Sequence, residues 1–224
     1  FNFSQPFYLE QSAVIGNYAT YKGGGIRSGG YLYLVNSTIA YNTAGSTSNS
    51  NAYGGGIYQL MGNIQISNGT ISRNWSGGYG GGIHNVGAPL VLRNSLLADN
   101  YALIGPDCSG PVGTAGFNLI GNMTGCTYTP VSGDLTNLDA RIYRLFGLAP
   151  AMVLFADSPA IETGNPEGCR DHLGNLILVD QLGSARPIEG DGHNPAYCDI
   201  GAVEFDPDMY LGWVNIPLLT NASP

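Results

Sequence analysis

The strongest constraint on this chain is a pattern written three times between Gly23 and Asn100. The first copy runs Gly23-Gly24-Gly25-Ile26 and then Leu32-Tyr33-Leu34-Val35-Asn36-Ser37-Thr38-Ile39-Ala40-Tyr41-Asn42. The second opens at Gly54-Gly55-Gly56-Ile57 and closes at Asn74; the third opens at Gly80-Gly81-Gly82-Ile83 and closes at Asn100. The closing asparagines set a period of 25 or 26 residues, and Phe7-Tyr8-Leu9 with Val14-Ile15-Gly16-Asn17 form a partial copy in front. Units this short cannot bury their own apolar face, so a fixed period predicts a solenoid held together by stacking. Thr43 to Tyr53 interrupts the second period; being polar and rich in Ser and Asn, it reads as a loop bulging from one corner.

Within each copy the apolar residues alternate. Leu32 and Leu34, Ile64 and Ile66, and Leu90 and Leu92 point one way, while Tyr33, Gln65 and Val91 point the other. Period two means short strands with one face buried. Three such strands per coil, bent at Gly and Asn corners that tolerate a left-handed backbone, give an all-β parallel β-helix. Ile26, Ile57 and Ile83 then form one inward column and Ile39, Ile71 and Leu97 another. Stacking also predicts two asparagine ladders, one of Asn36, Asn68 and Asn94, the other of Asn17, Asn42, Asn74 and Asn100.

The composition narrows what such a solenoid can do. Eight Lys plus Arg against sixteen Asp plus Glu leave a net charge of −8, which argues against nucleic acid or an anionic membrane as partner. No apolar run reaches the roughly 18 residues of a spanning helix. The chain begins at Phe1 with no basic region followed by an apolar one, as expected of a mature or excised piece. Its four cysteines fall in two local pairs whose spacing fits neither a zinc ribbon nor a redox centre. Two disulfides of an exported protein are expected, with Cys108–Cys126 and Cys169–Cys198 the favoured connectivity.

The coils resemble those of chlamydial polymorphic outer membrane proteins and related bacterial surface β-helices, whose repeats carry Gly-Gly-x-Ile and hydrophobe-x-x-Asn. The later half is more specific. Gly105-Pro106-Asp107-Cys108, Gly116-Phe117-Asn118-Leu119-Ile120-Gly121-Asn122, Ser158-Pro159-Ala160-Ile161, Asp180-Gln181, Arg186-Pro187 and Cys198-Asp199-Ile200-Gly201-Ala202-Val203-Glu204 are similar to the secreted bacterial choice-of-anchor Q domain proteins. The resemblance spans nearly all of Gly23 to Phe205. It implies export, a right-handed β-helix and surface attachment, with no established catalytic residues. Asp134 to Phe155 departs from the family pattern.

A single β-helix domain is therefore expected over 1–205, with regular coils over 7–104 and irregular coils and a cap over 105–205. Leu135 to Phe155 reads as a short helix or irregular coils; 158–162 and 199–204 read as strands of the last coils. Asn165 to Tyr197 reads as a polar excursion closing one end, with Asp180, Gln181, Arg186 and Asp199 forming a buried network there. Beyond Asp206 the tail changes character: Met209, Tyr210, Leu211, Trp213, Val214, Ile216 and Leu218 make an apolar, β-prone strand outside the repeat.

That strand would need burial, and the front coil, with Phe7 and Leu9 on its open edge, offers a place. Donor-strand exchange between copies would not close on itself, so it predicts a head-to-tail filament of an extracellular structural protein. The alternative is a monomeric surface adhesin or carbohydrate-binding module. β-Helices also host polysaccharide lyases and hydrolases, which need clustered acids and bases on an outward face. The outward charges of the coils are Arg27, Arg73, Arg93, His84 and Asp99, and Arg73 with Asp99 reads as a surface ion pair, so no catalytic residue is assigned. No cofactor is expected; a Ca²⁺ site from Glu189, Asp191 and Asp199 is a minor alternative unsupported by any Asp-x-Asp-x-Asp-Gly loop. Of the Asn-x-Ser/Thr sequons at Asn2, Asn36, Asn68, Asn74, Asn122 and Asn221, the terminal pair are the credible glycan carriers. A Thr38–Thr70 column of the ice-binding kind is broken by Leu96.

Overall fold

The Gly-Gly-Gly corners show why the coils stack as they do. A Cβ on Gly24 would lie 2.4 Å from the carbonyl oxygen of Gly55, and one on Gly55 would lie 2.4 Å from that of Gly81. Three successive corners thus meet backbone to backbone, joined by hydrogen bonds such as Gly24 N–H to Gly54 O and Gly55 N–H to Gly80 O, both 3.0 Å. The structure, a computed structural model, describes residues 5–47, 50–189 and 196–208. The sequence assignments to Asn2, Asp191, Asn221, Met209, Tyr210, Leu211, Trp213, Val214, Ile216 and Leu218 lie outside the described residues.

From each corner the chain runs through parallel strands that pair only with the coil above and below, giving four walls. Wall one holds Ile26–Ser28, Ile57–Gln59, Ile83–Asn85, Cys108–Pro111 and Cys126–Thr127. Wall two holds Phe7–Glu10, Tyr31–Val35, Asn63–Ser67, Leu90–Arg93 and Gly113–Thr114. Wall three holds Ala13–Ile15, Thr38–Ala40, Thr70–Ser72, Leu96–Ala98, Leu119–Ile120 and Leu135–Thr136. Wall four holds Tyr18–Ala19, Thr43–Ala44, Trp75–Tyr79 and Tyr101–Ile104.

The architecture is the expected parallel β-helix, but the three coils between Ile26 and Ile104 have four strands each where three were read. The fourth wall escaped notice because its inward column is Ala19, Ala44, Ser76 and Ala102, small residues that carry no hydrophobic alternation. Elsewhere the register is as predicted. Ile57 pairs with Ile26 on one side and Ile83 on the other, and Ile71 pairs with Ile39 and Leu97. Cys108 continues the first column and Ile120 the second. These side chains fill one continuous core with Leu32, Leu34, Ile64, Ile66, Leu90 and Leu92.

The second asparagine ladder is complete. The Nδ2 groups of Asn17, Asn42, Asn74 and Asn100 each donate at 2.9 Å to the next side chain in line, the last reaching Asp107 Oδ1. A carboxylate only accepts, so Asp107 ends the donor chain without leaving an N–H unpaired. Asp134 does the same for Asn118, taking its backbone N–H at 2.9 Å and its side-chain amide at 3.1 Å. The first predicted ladder is only partial. Asn94 donates to Asn68 Oδ1 at 2.9 Å, whereas Asn36 and Asn68 donate to the carbonyls of Val179 and Arg170.

Those two partners reveal a correction. Of the segment Asn165–Tyr197, the described residues 165–189 do not close an end; they lie as a strap along the flank of the coils, from Gln11 (Nε2 to Asp180 O, 2.8 Å) to Asn94 (Oδ1 from Asn165 N–H, 3.1 Å). Coil strands continue through the expected irregular stretch as far as Leu135–Thr136. Residues 135–155 form no helix: after Thr136 comes an antiparallel hairpin, Ile142–Phe146 with Ala151–Leu154. Residues 158–162 and 199–204 are turns rather than strands. The hairpin and the segments flanking the strap bury the outer face of wall three, where Ala40, Leu96, Ala98 and Leu119 pack against Met152, Leu154, Ala160, Ile200 and Phe205. The Thr38–Thr70 column is covered as well: Thr38 Oγ1 donates to Gln181 Oε1, and Thr70 Oγ1 accepts from Ala202 N–H.

Candidate functional site

Most of the chain's concentrated charge is structural. The strap is anchored by a fully buried ion pair, Arg186 Nε to Glu204 Oε1 at 2.7 Å. Arg186 also donates to Asn36 Oδ1 and to the carbonyls of Asp199 and Gly201. Asp199 accepts the N–H groups of Glu162 and Phe205, and Asp180 accepts those of Leu182, Ser184 and Glu204. Burial and the neighbouring Glu204 charge push Asp199 well above the usual carboxylate range. Burial also raises Glu204, opposed by Arg186. The network read from Asp180, Gln181, Arg186 and Asp199 is therefore assembled, on the flank rather than at an end.

Both disulfides form as expected, Cys108–Cys126 and Cys169–Cys198. The buried group of Cys169, Cys198 and Glu204 offers no thiolate to a metal, because its sulfurs are bonded to each other. Of the Ca²⁺ set, Asp199 already holds a backbone N–H on each oxygen.

Among the described residues, an outward arrangement not absorbed by the fold lies at the corner between walls three and four. There the residues preceding the ladder asparagines are Gly16, Tyr41, Arg73 and Asp99, all left-handed, with φ of 69°, 55°, 56° and 60°. Glycine adopts this conformation freely, whereas other residues bear about 1–2 kcal/mol each. Tyr41, Arg73 and Asp99 stand one above another about 4.8 Å apart, since the residues just before them pair in register. With Tyr101, Asp139, Arg141 and Phe155 they line a cleft of about 510 Å³ between the coils and the hairpin. A second hollow of about 260 Å³, sharing Asp99, Tyr101 and Asp139, extends it past Asn122.

The ion pair read between Arg73 and Asp99 is not made. Arg73 Nη1 donates to Tyr41 Oη at 2.6 Å and Nη2 to the carbonyls of Ile142 and Tyr143 at 3.0 Å. The hairpin, which has no place in the repeat, supplies those carbonyls. Arg141 forms a two-pronged bond with Asp157 and lies 4.0 Å from Asp139. Burial raises the Asp99 carboxyl, Arg73 opposes this, and Asp139 adds to it. Tyr41, Tyr101, Asp139, Arg141 and Phe155 were not singled out from sequence. The available signal was the corner itself, where three coils carry bulky residues at a position that Gly16 fills in the first.

A second cluster flanks the Gly-Gly-Gly corners. Tyr53 stacks on Tyr79 with centroids 5.3 Å apart, Tyr58 on His84 at 5.7 Å, and Lys22 Nζ sits over Tyr53 and Tyr58. Burial, and then the Lys22 charge, push His84 down to about 4. Among the sequons, Asn36, Asn68 and Asn74 are buried in hydrogen bonds, and Asn122 is exposed.

The fold defines the class, a disulfide-bonded parallel β-helix with a lateral strap. Neither the family models, nor the curated proteins, nor the solved structures contain a match to this chain.

Proposed function

We propose that this chain is a non-enzymatic extracellular β-helix acting as a structural and adhesive surface module. The observation that carries this reading is the division of labour among its polar groups. The dense carboxylates and Arg186 are engaged in ladder ends and strap anchors, leaving a stiff scaffold whose outward walls expose rings, among them Tyr18, Tyr31, Tyr41 and Tyr101. The two disulfides and the resemblance to exported bacterial β-helices support the extracellular assignment. No helix among the described residues is long and apolar enough to cross a membrane. The test is adhesion: the purified full chain should be retained on immobilised cell-wall polysaccharide or on whole bacterial cells while releasing no reducing sugar or unsaturated product from them. Turnover of a polysaccharide would overturn the reading.

Head-to-tail filament assembly is a second reading, favoured by the first coil. Phe7–Glu10, Ala13–Ile15 and Tyr18–Ala19 each pair on one side only among the described residues, and Phe7 and Tyr8 are 62% and 58% exposed there. Adding a strand to such an edge would join copies without closing a ring. Sedimentation of the full chain against Phe7→Lys and against a chain ending at Asp206 decides it. Polymers lost in both variants support exchange of the apolar tail, and unchanged monomers in all three remove it.

A further inference from the structure

The geometry points to the cleft between the Tyr41–Arg73–Asp99 corner and the hairpin as a binding site for a neutral glycan chain. This inference rests on the adhesive reading above and specifies its ligand. The combined hollow falls in the range of roughly 300–1,000 Å³ occupied by ligand sites, and it runs across successive coils rather than into the core. An extended polymer fits such a trough better than a compact cofactor does.

The lining matches the two-sided chemistry of a pyranose, which has C–H groups on its ring faces and hydroxyls around its edge. Tyr41, Tyr101 and Phe155 are 41%, 63% and 39% exposed, and each presents part of its ring surface to solvent in the cleft. Rings of this kind bury the apolar faces of a ligand while Tyr hydroxyls stay wet. Between them, the Asp99 carboxylate accepts no hydrogen bond from the described residues, its backbone carbonyl alone taking the Arg73 N–H. Asp139 uses one oxygen for the Arg141 N–H and holds the other 4.0 Å from Nη1. Carboxylates are acceptor-only groups with several lone-pair sites, suited to paired sugar hydroxyls.

Charge selects against acidic glycans. Both guanidiniums that could attract a uronate or a sulfate are already engaged, Arg73 with Tyr41 and two hairpin carbonyls, Arg141 with Asp157. What remains available is negative, on a chain whose net charge is −8. An anionic polymer would therefore meet the Asp99 and Asp139 carboxylates with the hydrogen-bond donors of Arg73 and Arg141 already taken, and would lose the two-pronged grip that a free guanidinium gives an acid group.

The backbone gives an independent argument. Tyr41, Arg73 and Asp99 line the cleft in the left-handed conformation at a corner that Gly16 turns without strain, and Arg141 adopts it just before the hairpin. Non-glycine residues held there concentrate at binding sites, where the position of the side chain matters more than the local cost.

Isothermal titration of the full chain with cellohexaose, mannohexaose and hexa-N-acetylglucosamine, and with oligogalacturonate as the charged probe, tests the inference. At least one neutral hexamer should bind, with oligogalacturonate at least about tenfold weaker, and Tyr101→Ala should weaken the neutral ligand about tenfold, or 1.4 kcal/mol. Tyr101 is mostly exposed, so the variant keeps its fold, checked by its melting temperature. Tighter binding of oligogalacturonate, or no binding of any hexamer, overturns the assignment of ligand. If the chain adheres to polysaccharide or cells and Tyr101→Ala and Asp139→Asn adhere equally, the cleft is wrong while the adhesive reading stands. Loss of all adhesion in the unaltered chain removes both.

Discussion

The coils and the strap are stabilised by opposite means. In the coils the amide ladder is satisfied by counterparts one turn away, so Asn42, Asn74 and Asn100 each repeat the same bonds. In the strap no bond repeats: Arg186 reaches Asn36, Glu204 and two carbonyls, and each partner occurs once. Repetition spreads stability over many equal contacts, each modest; singular anchoring concentrates it in a few buried charges. Loss of one rung should be tolerated, whereas loss of one anchor should not.

The largest effect is expected at the anchor. Arg186→Ala leaves Glu204 buried without its partner, which costs about 3–5 kcal/mol, read as a shift in the urea midpoint. Hydrogen exchange should rise over 170–188 while Ile39 and Ile71 stay protected. Simultaneous opening of both regions would show the strap and coils to be one cooperative unit. Next comes the Cys169–Cys198 bond, which closes a loop of 29 residues. Removing it as Cys169→Ser with Cys198→Ser should cost about 3–4 kcal/mol, slightly more than the Cys108–Cys126 pair with its separation of 18. The reverse order in melting temperature would place more native strain or residual structure at one bond than chain entropy allows.

A rung should cost less. Asn74→Ala deletes the amide that bonds Asn100, Ile39 and Ser72 and leaves Asn42 with one acceptor fewer. About 2–3 kcal/mol is expected, and a loss as large as that of Arg186→Ala would break the contrast drawn here.

The smallest effect concerns the ladder's end. Burial pushes Asp107 up to about 6, so the folded chain holds a proton that the unfolded chain releases. Its contribution to stability is complete below an unfolded value near 4 and is lost as the pH rises through about 6. His84 works the other way. Its pKa is pushed down to about 4, so its contribution is present above about 6.5 and fades as the pH falls through 4. Asp107→Asn should flatten the first dependence between pH 4 and 6, and His84→Gln the second, both read in melting temperature. Asp107→Asn should also cost about 1 kcal/mol at pH 7 if its amide turns toward the Asn122 N–H that the carboxylate now accepts. An unchanged pH profile would mean that Asp107 is solvated in solution.

The coils were legible because stacking enforces register: a residue buried in one turn has its like one period away. That is why Ile26, Ile57 and Ile83 announced themselves, and why the disulfide pairs, local in sequence, did too. Wall four was silent because Ala and Ser fill its inside. The candidate cleft was half visible: Arg73 and Asp99 stood out as outward charges, but their partners did not.

The sequence by itself determined the winding, its period, its core columns and one complete amide ladder, since each is a relation between neighbours along a repeat. Only the tertiary structure decided that 137–189 and 196–205 lie along the flank, that Asn36 and Asn68 leave their ladder for the strap, and that the hairpin turns Arg73 away from Asp99. Those outcomes rest on contacts between residues 69 to 169 positions apart that occur once each. With no period to mark them, they are fixed by which buried donors and acceptors meet when the layers close.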